Sequence, residues 1–318
     1  MLIARRSFTI FHSLKQKLPV KDIVKLSFAK VSPTSNVNSS NNETTQAFVN
    51  IHGLLGNRLI FNSISKTLAN TFNADVYSID LRNHGQSERA FPYDNLTLSN
   101  DVCSFVEKHI GLKKPVNLIG FSAGGKVAML TALNKNLKFN LNKMIIIDIS
   151  PNYTDELVQI LIDNYNLIMQ ILNKEILIEK NSKNWKQKVT KLFNDIKSSD
   201  PSTSLYFSSG FTHYAKNNEV DHENNYIEYN IPLESMPGIV QSAKDWPILT
   251  QNPNLNETSS VPTCFFKALK SPIMTNDYTS IKNVFPNLSV VEFNCCHNLF
   301  LDAPKECLDY IIKYVKTE

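Results

Sequence analysis

The sequence predicts an α/β fold: a mostly parallel sheet flanked by helices, with a helical cap inserted in the second half. Three observations carry this. Short apolar runs alternate with helical patterns along most of the chain. The runs are near-continuously apolar and bounded by polar residues or glycine, as strands buried on both faces are. The alternation stops from about Pro151 to Asn254, in a helical, Asn- and Lys-rich stretch, and then resumes. The expected organisation is a leader at 1–22, a core at 23–150 and 255–318, and a cap at 151–254. An insertion in such a sheet sits on its C-terminal edge, over the site.

Each element has its own signal. Leu26–Val31 alternates like a first strand, and the Ser-, Asn- and Thr-rich stretch Ser32–Thr45 reads as a surface loop. The remaining strand candidates are Ala47–Ile51, Asp75–Ile79, Val116–Ile119, Met144–Ile147, Thr263–Ala268 and Val290–Phe293. Helical patterns fall at Phe61–Thr71, Leu98–Ile110, Gly125–Leu133 and Cys307–Val315.

Composition bounds the function. A chain of 318 residues that is 42% hydrophobic and 19% charged has the makeup of a globular protein, not a disordered one. No apolar run reaches the roughly 18–20 residues of a transmembrane helix. The net charge of +4 comes from the N-terminus, where Arg5, Arg6, Lys15, Lys17 and Lys21 stand without any acid. The body is near neutral, which gives no case for a nucleic-acid partner. The basic, roughly amphipathic start resembles a mitochondrial transit peptide, so a mitochondrial location is expected. Five cysteines without CxxC spacing make neither a disulfide framework nor a zinc site.

Glycine is scarce, nine in all, yet six fall in three short clusters. The strongest is Gly120-Phe121-Ser122-Ala123-Gly124-Gly125-Lys126, a G-x-S-x-G between a strand and a helix. That context defines a nucleophile elbow with Ser122 at its tip. The same residues read as G-x-x-x-x-G-K, but Val127 stands where a phosphate-binding loop needs Ser or Thr. The cluster His52-Gly53-Leu54-Leu55-Gly56-Asn57 follows a strand. The backbone N–H of Leu54, with that of Ala123, would form an oxyanion hole, and His52 is expected to be structural. The third cluster, Asp80–Ser87, reads as a structural turn in which Asp80 and Arg82 pair, with His84 in a supporting place.

A general base is needed. His297 follows the last strand candidate and precedes the last helix, where the base of a Ser…acid…His order falls. The acid has two candidates. Asp148 ends the run Met144–Ile147 at a strand's C-terminal edge, whereas Asp277 lies some residues beyond Thr263–Ala268. Asp148 is the better placed of the two.

HGLLGN, DLRNHGQS, GFSAGGK and IIIDISP, in this order, resemble the α/β-hydrolase superfamily, and within it the mitochondrial branch of yeast ethanol acetyltransferases. The resemblance covers the chain from about Leu26 onward and is weakest in the cap. It implies an α/β-hydrolase fold with Ser122, Asp148 and His297 as catalytic residues. Phe121 stands where many relatives carry histidine, and Ala123 where methionine is common. The implied activity is acetyl transfer from acetyl-CoA to ethanol through a serine acyl-enzyme, with esterase and thioesterase side reactions. A plain ester hydrolase is the near rival, and a non-catalytic binding protein on a degenerate fold the distant one. The expected partners are a small acyl donor and an alcohol or water. No metal or resident cofactor is implied; acetyl-CoA enters as a substrate.

Overall fold

The computed structural model describes residues 18–34, 44–179, 182–212, 227–232, 236–274 and 278–317. Its main sheet contains β1 (Phe28–Val31), β2 (Gln46–Ile51), β3 (Ala74–Ile79), β4 (Val116–Phe121), β5 (Leu141–Ile147), β8 (Thr263–Ala268) and β9 (Leu288–Phe293). The order across the sheet is β1-β3-β2-β4-β5-β8-β9. All neighbours are parallel except β1, which runs antiparallel to β3 along the edge. All seven strands expected from the apolar runs are present.

The continuous apolar runs have a simple cause. Successive side chains of a strand point to opposite faces, and both faces of this sheet are covered. Val49, Leu118, Ile146 and Phe265 join one buried cluster, while Phe48, Ile119, Ile147 and Phe266 join the other. Helix α1 (Asn62–Phe72) and the last helix, α10 (Pro304–Lys316), cover the second face through Leu68, Ala69, Cys307 and Ile311. Helices α2 (Asn95–His109) and α3 (Ala123–Leu133) cover the first through Leu98, Val102, Val127 and Leu130. Asp94 caps α2 by accepting from the Thr97 N–H at 2.8 Å.

Between β5 and β8 lie α4 (Asp155–Leu172), α5 (Trp185–Asn194), α6 (Pro201–Ser208) and α7 (Met236–Lys244). The sequence showed no strand here. The structure adds a two-residue ribbon, β6 (Phe211–Thr212) with β7 (Glu228–Tyr229), too short to leave a periodic signal. Two short helices also escaped the sequence reading: α8 (Thr279–Val284) between β8 and β9, and α9 (Leu299–Asp302) before α10. Both are under two turns, below the length at which amphipathic periodicity is legible. The inserted helices are tied to the core at the end of α7. Lys126 Nζ donates to the Ala243 carbonyl at 2.8 Å, and Asn95 Nδ2 donates to the Ser242 and Asp245 carbonyls at 2.7 and 3.0 Å. Burial lowers the Lys126 ammonium to about 8. The lysine of the G-x-x-x-x-G-K reading is therefore spent on the cap.

One expectation is corrected. Asp80 and Arg82 do not pair. Arg82 is wholly buried and makes a two-pronged ion pair with Asp101 of α2, at 2.8 and 2.9 Å. Its other N–H groups donate to the carbonyls of Lys21, Asp22 and Pro92, so all five donors are used. Asp80 turns the other way, pairs with Arg58, and accepts from the backbone N–H of Arg58 and Gln86 at 2.8 and 3.0 Å. Arg82 already lies in the turn that follows β3, so the strand alternation does not extend to it and the two side chains find separate partners. Arg82 thereby clamps the end of the predicted leader, Lys21 and Asp22, to the core; residues 1–17 lie outside the described residues.

A buried charge left without its partner is costly, on the order of 3–5 kcal/mol. Asp101→Ala is therefore expected to lower the unfolding free energy by about that amount in urea titration. A loss within ordinary surface-mutation range would contradict the Arg82 clamp.

Candidate active site

Strand order reverses between β2 and β4, because the chain goes from β2 outward to β3 and then back to β4. Ligand crevices of open α/β sheets form at such a switch point, beyond the carboxyl ends of the strands. Ser122 follows β4 and the His52–Asn57 loop follows β2, so the fold brings both glycine clusters to this crevice.

Ser122 sits at φ 52° and ψ −123°, a left-handed conformation that costs a non-glycine residue about 1–3 kcal/mol. Two hydrogen bonds hold it there: Ser122 N–H to the Ile147 carbonyl at 2.9 Å, and Gly125 N–H to the Ser122 carbonyl at 2.7 Å. The turn is closed so tightly that a Cβ on Gly120 would stand 2.5 Å from the Gly124 carbonyl oxygen. A Cβ on Gly124 would overlap the Ile51 carbonyl. The G-x-S-x-G spacing is thus a packing requirement of the turn.

Asp148 follows β5, also at positive φ, 48°, and is fully buried. Its N–H donates to the Phe266 carbonyl at 2.7 Å, and its Oδ1 accepts from the Ala268 N–H at 3.0 Å. Its Oδ2 accepts from His297 Nδ1 at 2.7 Å. A carboxylate can only accept, so this bond fixes the ring with its proton on Nδ1. His297 itself lines the cavity that Ser122 lines. The His297 ring lies against Phe121, centroids 4.9 Å apart and tilted by 32°. Asp277, the alternative acid, lies outside the described residues.

Ser122, His297 and Leu54 line one cavity of about 380 Å³, measured with its open mouth. The rest of the wall is mainly apolar. Leu157, Ile160 and Leu161 come from α4, Tyr206 and Phe207 from α6, and Ile273 from the loop after β8. Ala123 is the first residue of α3, where a helix N–H has no intrahelical acceptor.

The His52–Asn57 loop is braced by its neighbours. His52 Nδ1–H donates to the Gly53 carbonyl at 2.7 Å, and its Nε2 accepts from the Leu81 N–H at 3.0 Å. His84 Nδ1–H donates to the Arg82 carbonyl at 2.8 Å, and its Nε2 accepts from the Leu55 N–H at 3.2 Å. The Gly56 N–H is used by the Gly53 carbonyl at 3.2 Å. Leu54, between these braced residues, lines the cavity beside Ser122. Both histidines are in supporting places, as expected.

Sequence reasoning missed most of the cavity wall. Leu157, Ile160 and Leu161 had a usable signal, the i, i+3, i+4 spacing of an apolar helix face. Tyr206 and Asn298 had none. Asn298 is fully buried beside His297 with neither amide atom hydrogen-bonded, and the Tyr206 hydroxyl is likewise buried and unpartnered. Among the described residues, one group with metal-ligand atoms lies close together: Asp200, Cys296 and Asp302, within 4.8 Å of one another. Its carboxylates already accept from Ser202, at 2.6 and 3.0 Å, and Asp200 caps α6.

Comparison with known proteins identifies the family. The family described as alpha/beta hydrolase fold matches residues 46–304, and the chain belongs to it. The chain belongs, further, to the branch that holds the yeast ethanol acetyltransferases. It is 31% identical to ethanol acetyltransferase 1 of Wickerhamomyces ciferrii over 98% of this chain and 79% of that protein. It is 30% identical to a probable alcohol acetyltransferase of Wickerhamomyces anomalus over 95% of this chain and 88% of that one. Among solved structures, a marine microorganism esterase superposes with a TM-score of 0.68 at 21% identity, covering 92% of this chain and 99% of its own. An esterase from Exiguobacterium antarcticum superposes at 0.59 and 17% identity, covering 96% and 100%. These two share the fold. No described helix is long and apolar enough to cross a membrane.

The buried histidines set a pH dependence of stability. Desolvation lowers His52 to about 4 and His84 to about 3, against an ordinary value of 6.5. The unfolded chain takes up these protons first as pH falls, so acid favours unfolding. Their stabilising contribution is complete above 6.5 and is lost as pH drops toward 4 and 3. Each ring is expected to contribute a slope of about 1.4 kcal/mol per pH unit between about pH 6 and 5, read from urea unfolding. A flat profile across that window would show that the rings are already charged in the native state.

Proposed function

We propose that the protein transfers an acetyl group from acetyl-CoA to ethanol through an acyl-enzyme on Ser122, with ester and thioester hydrolysis as side reactions. The observation that carries the reading is the 2.7 Å bond from His297 Nδ1 to the buried Asp148, with Ser122 and His297 on one cavity wall. The names of the yeast relatives supply the donor and acceptor class. Catalysis needs no resident metal or cofactor.

The chemistry has two halves. His297 Nε2 takes the Ser122 hydroxyl proton as Oγ attacks the thioester carbonyl. Asp148 orients the ring and stabilises its charged form. The N–H groups of Leu54 and Ala123 receive the developing oxyanion, and the proton on His297 then goes to the departing thiolate. In the second half, His297 takes the proton of ethanol as its oxygen attacks the acetyl carbon. Ser122 leaves with that proton returned to it. Water in place of ethanol gives acetate. Apolar walls from Leu157, Ile160, Leu161 and Phe207 disfavour water and suit a short alkyl chain.

The basic N-terminal segment fits a mitochondrial address. Its positive charge and apolar stripe are what an import receptor and a negative matrix attract.

A plain ester hydrolase is the second reading, since both solved neighbours quoted above are esterases. Gas chromatography of the purified protein with acetyl-CoA and ethanol separates the two. Ethyl acetate is the expected product, and free acetate alone would reject the transferase. Ser122→Ala and His297→Ala are expected to abolish turnover, and Asp148→Asn to lower kcat by on the order of 10³–10⁴. Full activity in Ser122→Ala would reject the acyl-enzyme, whereas no turnover by the wild type together with no labelling by a fluorophosphonate would favour a binding protein.

A further inference from the structure

We infer that the Tyr206 hydroxyl is a third donor to the oxyanion, supplied by the cap rather than by the core. The inference rests on the acyl-enzyme reading above.

The position of the hydroxyl carries it. Tyr206 is on α6, and its ring meets Phe121 edge-on at 5.8 Å and Phe207 at 5.5 Å. These contacts aim the phenol at the His52–Asn57 loop. A Cβ on Gly53 would touch both Ser122 Cβ and Tyr206 Oη, at 3.1 Å each. Those two atoms therefore lie no more than twice that distance apart, and both residues line the same cavity. A Cβ on Gly56 would collide with the same hydroxyl, so the loop lacks a side chain where Tyr206 enters.

The hydroxyl oxygen is buried, and among the described residues no acceptor takes its proton. The Gly53 N–H acts on the oxygen, not on the proton, which leaves the O–H free to donate. An unpartnered buried hydroxyl is costly, and its removal should stabilise the fold unless a ligand uses it. Burial keeps the phenol protonated well above its ordinary range, so it is a donor across the working pH. What approaches it in turnover is the carbonyl oxygen of the group bonded to Ser122 Oγ. As that oxygen gains charge, the Tyr206 O–H strengthens its bond to it. Phe121 supplies the edge contact that holds the ring in place.

The test uses Tyr206→Phe in the full chain, with ring packing kept and only the oxygen removed. With p-nitrophenyl acetate, kcat is expected to fall about 10²-fold with KM nearly unchanged. The affinity for a trifluoromethyl ketone, which forms a tetrahedral oxyanion on the serine, should fall by a similar factor. The affinity for the matching methyl ketone should not change. The melting temperature should stay or rise. Wild-type kcat, equal weakening of both ketones, or a lower melting temperature would each overturn the inference. The last outcome would make the hydroxyl a structural group. Ser122→Ala separates the two levels: if it stays active, the acyl-enzyme reading fails, whereas an inactive Ser122→Ala beside an unimpaired Tyr206→Phe refutes only this inference.

Discussion

The site depends on one buried carboxylate. Asp148 has no solvent exposure, and each of its oxygens has a single task. One accepts from the Ala268 N–H at the end of β8, and the other from His297 in the loop after β9. The bond to β8 fixes the carboxylate, and the fixed carboxylate sets the position and tautomer of the imidazole. The strand next door is held by the same stretch, because the Ser122 N–H donates to the Ile147 carbonyl. Neighbouring strand ends in a parallel sheet thus bring three distant residues together without a dedicated scaffold. An uncompensated carboxylate would not be tolerated there, so the histidine and the backbone N–H are conditions of its burial as well as consequences of it.

The opposite wall is organised by groups that perform no chemistry. His52 and His84 are desolvated enough to stay neutral, and each donates and accepts one hydrogen bond. Together they use the Gly53 and Arg82 carbonyls and the Leu55 and Leu81 N–H groups on either side of Leu54. Asp80 holds the base of this arrangement through Arg58 and the Gln86 N–H. Arg82, its near neighbour in sequence, anchors the N-terminal segment and α2. Two adjacent charges serve two separate structures.

Much of the core was legible because its rules are local. A strand buried on both faces is a run of apolar residues, and Met144–Ile147 can be read as such. The elbow was legible because Gly120 and Gly124 have no room for a side chain. Less legible were features that depend on distant approach. Nothing near Asp80 or Arg82 in sequence names Arg58 or Asp101 as the partner. Nothing around Tyr206 marks it as a cavity residue, since its hydroxyl fits a gap left by Gly53 and Gly56 about 150 residues earlier. Short helices such as Thr279–Val284 fell below the length that gives a period.

Passage of acetyl through Ser122 is measured most directly by mass spectrometry of the protein quenched during turnover with acetyl-CoA, with and without ethanol. Acetyl is expected on the peptide that carries Ser122, accumulating without an acceptor and discharging as ethyl acetate when ethanol is added. Ethyl acetate forming while Ser122 stays unmodified, or acetyl residing on another residue, would contradict it.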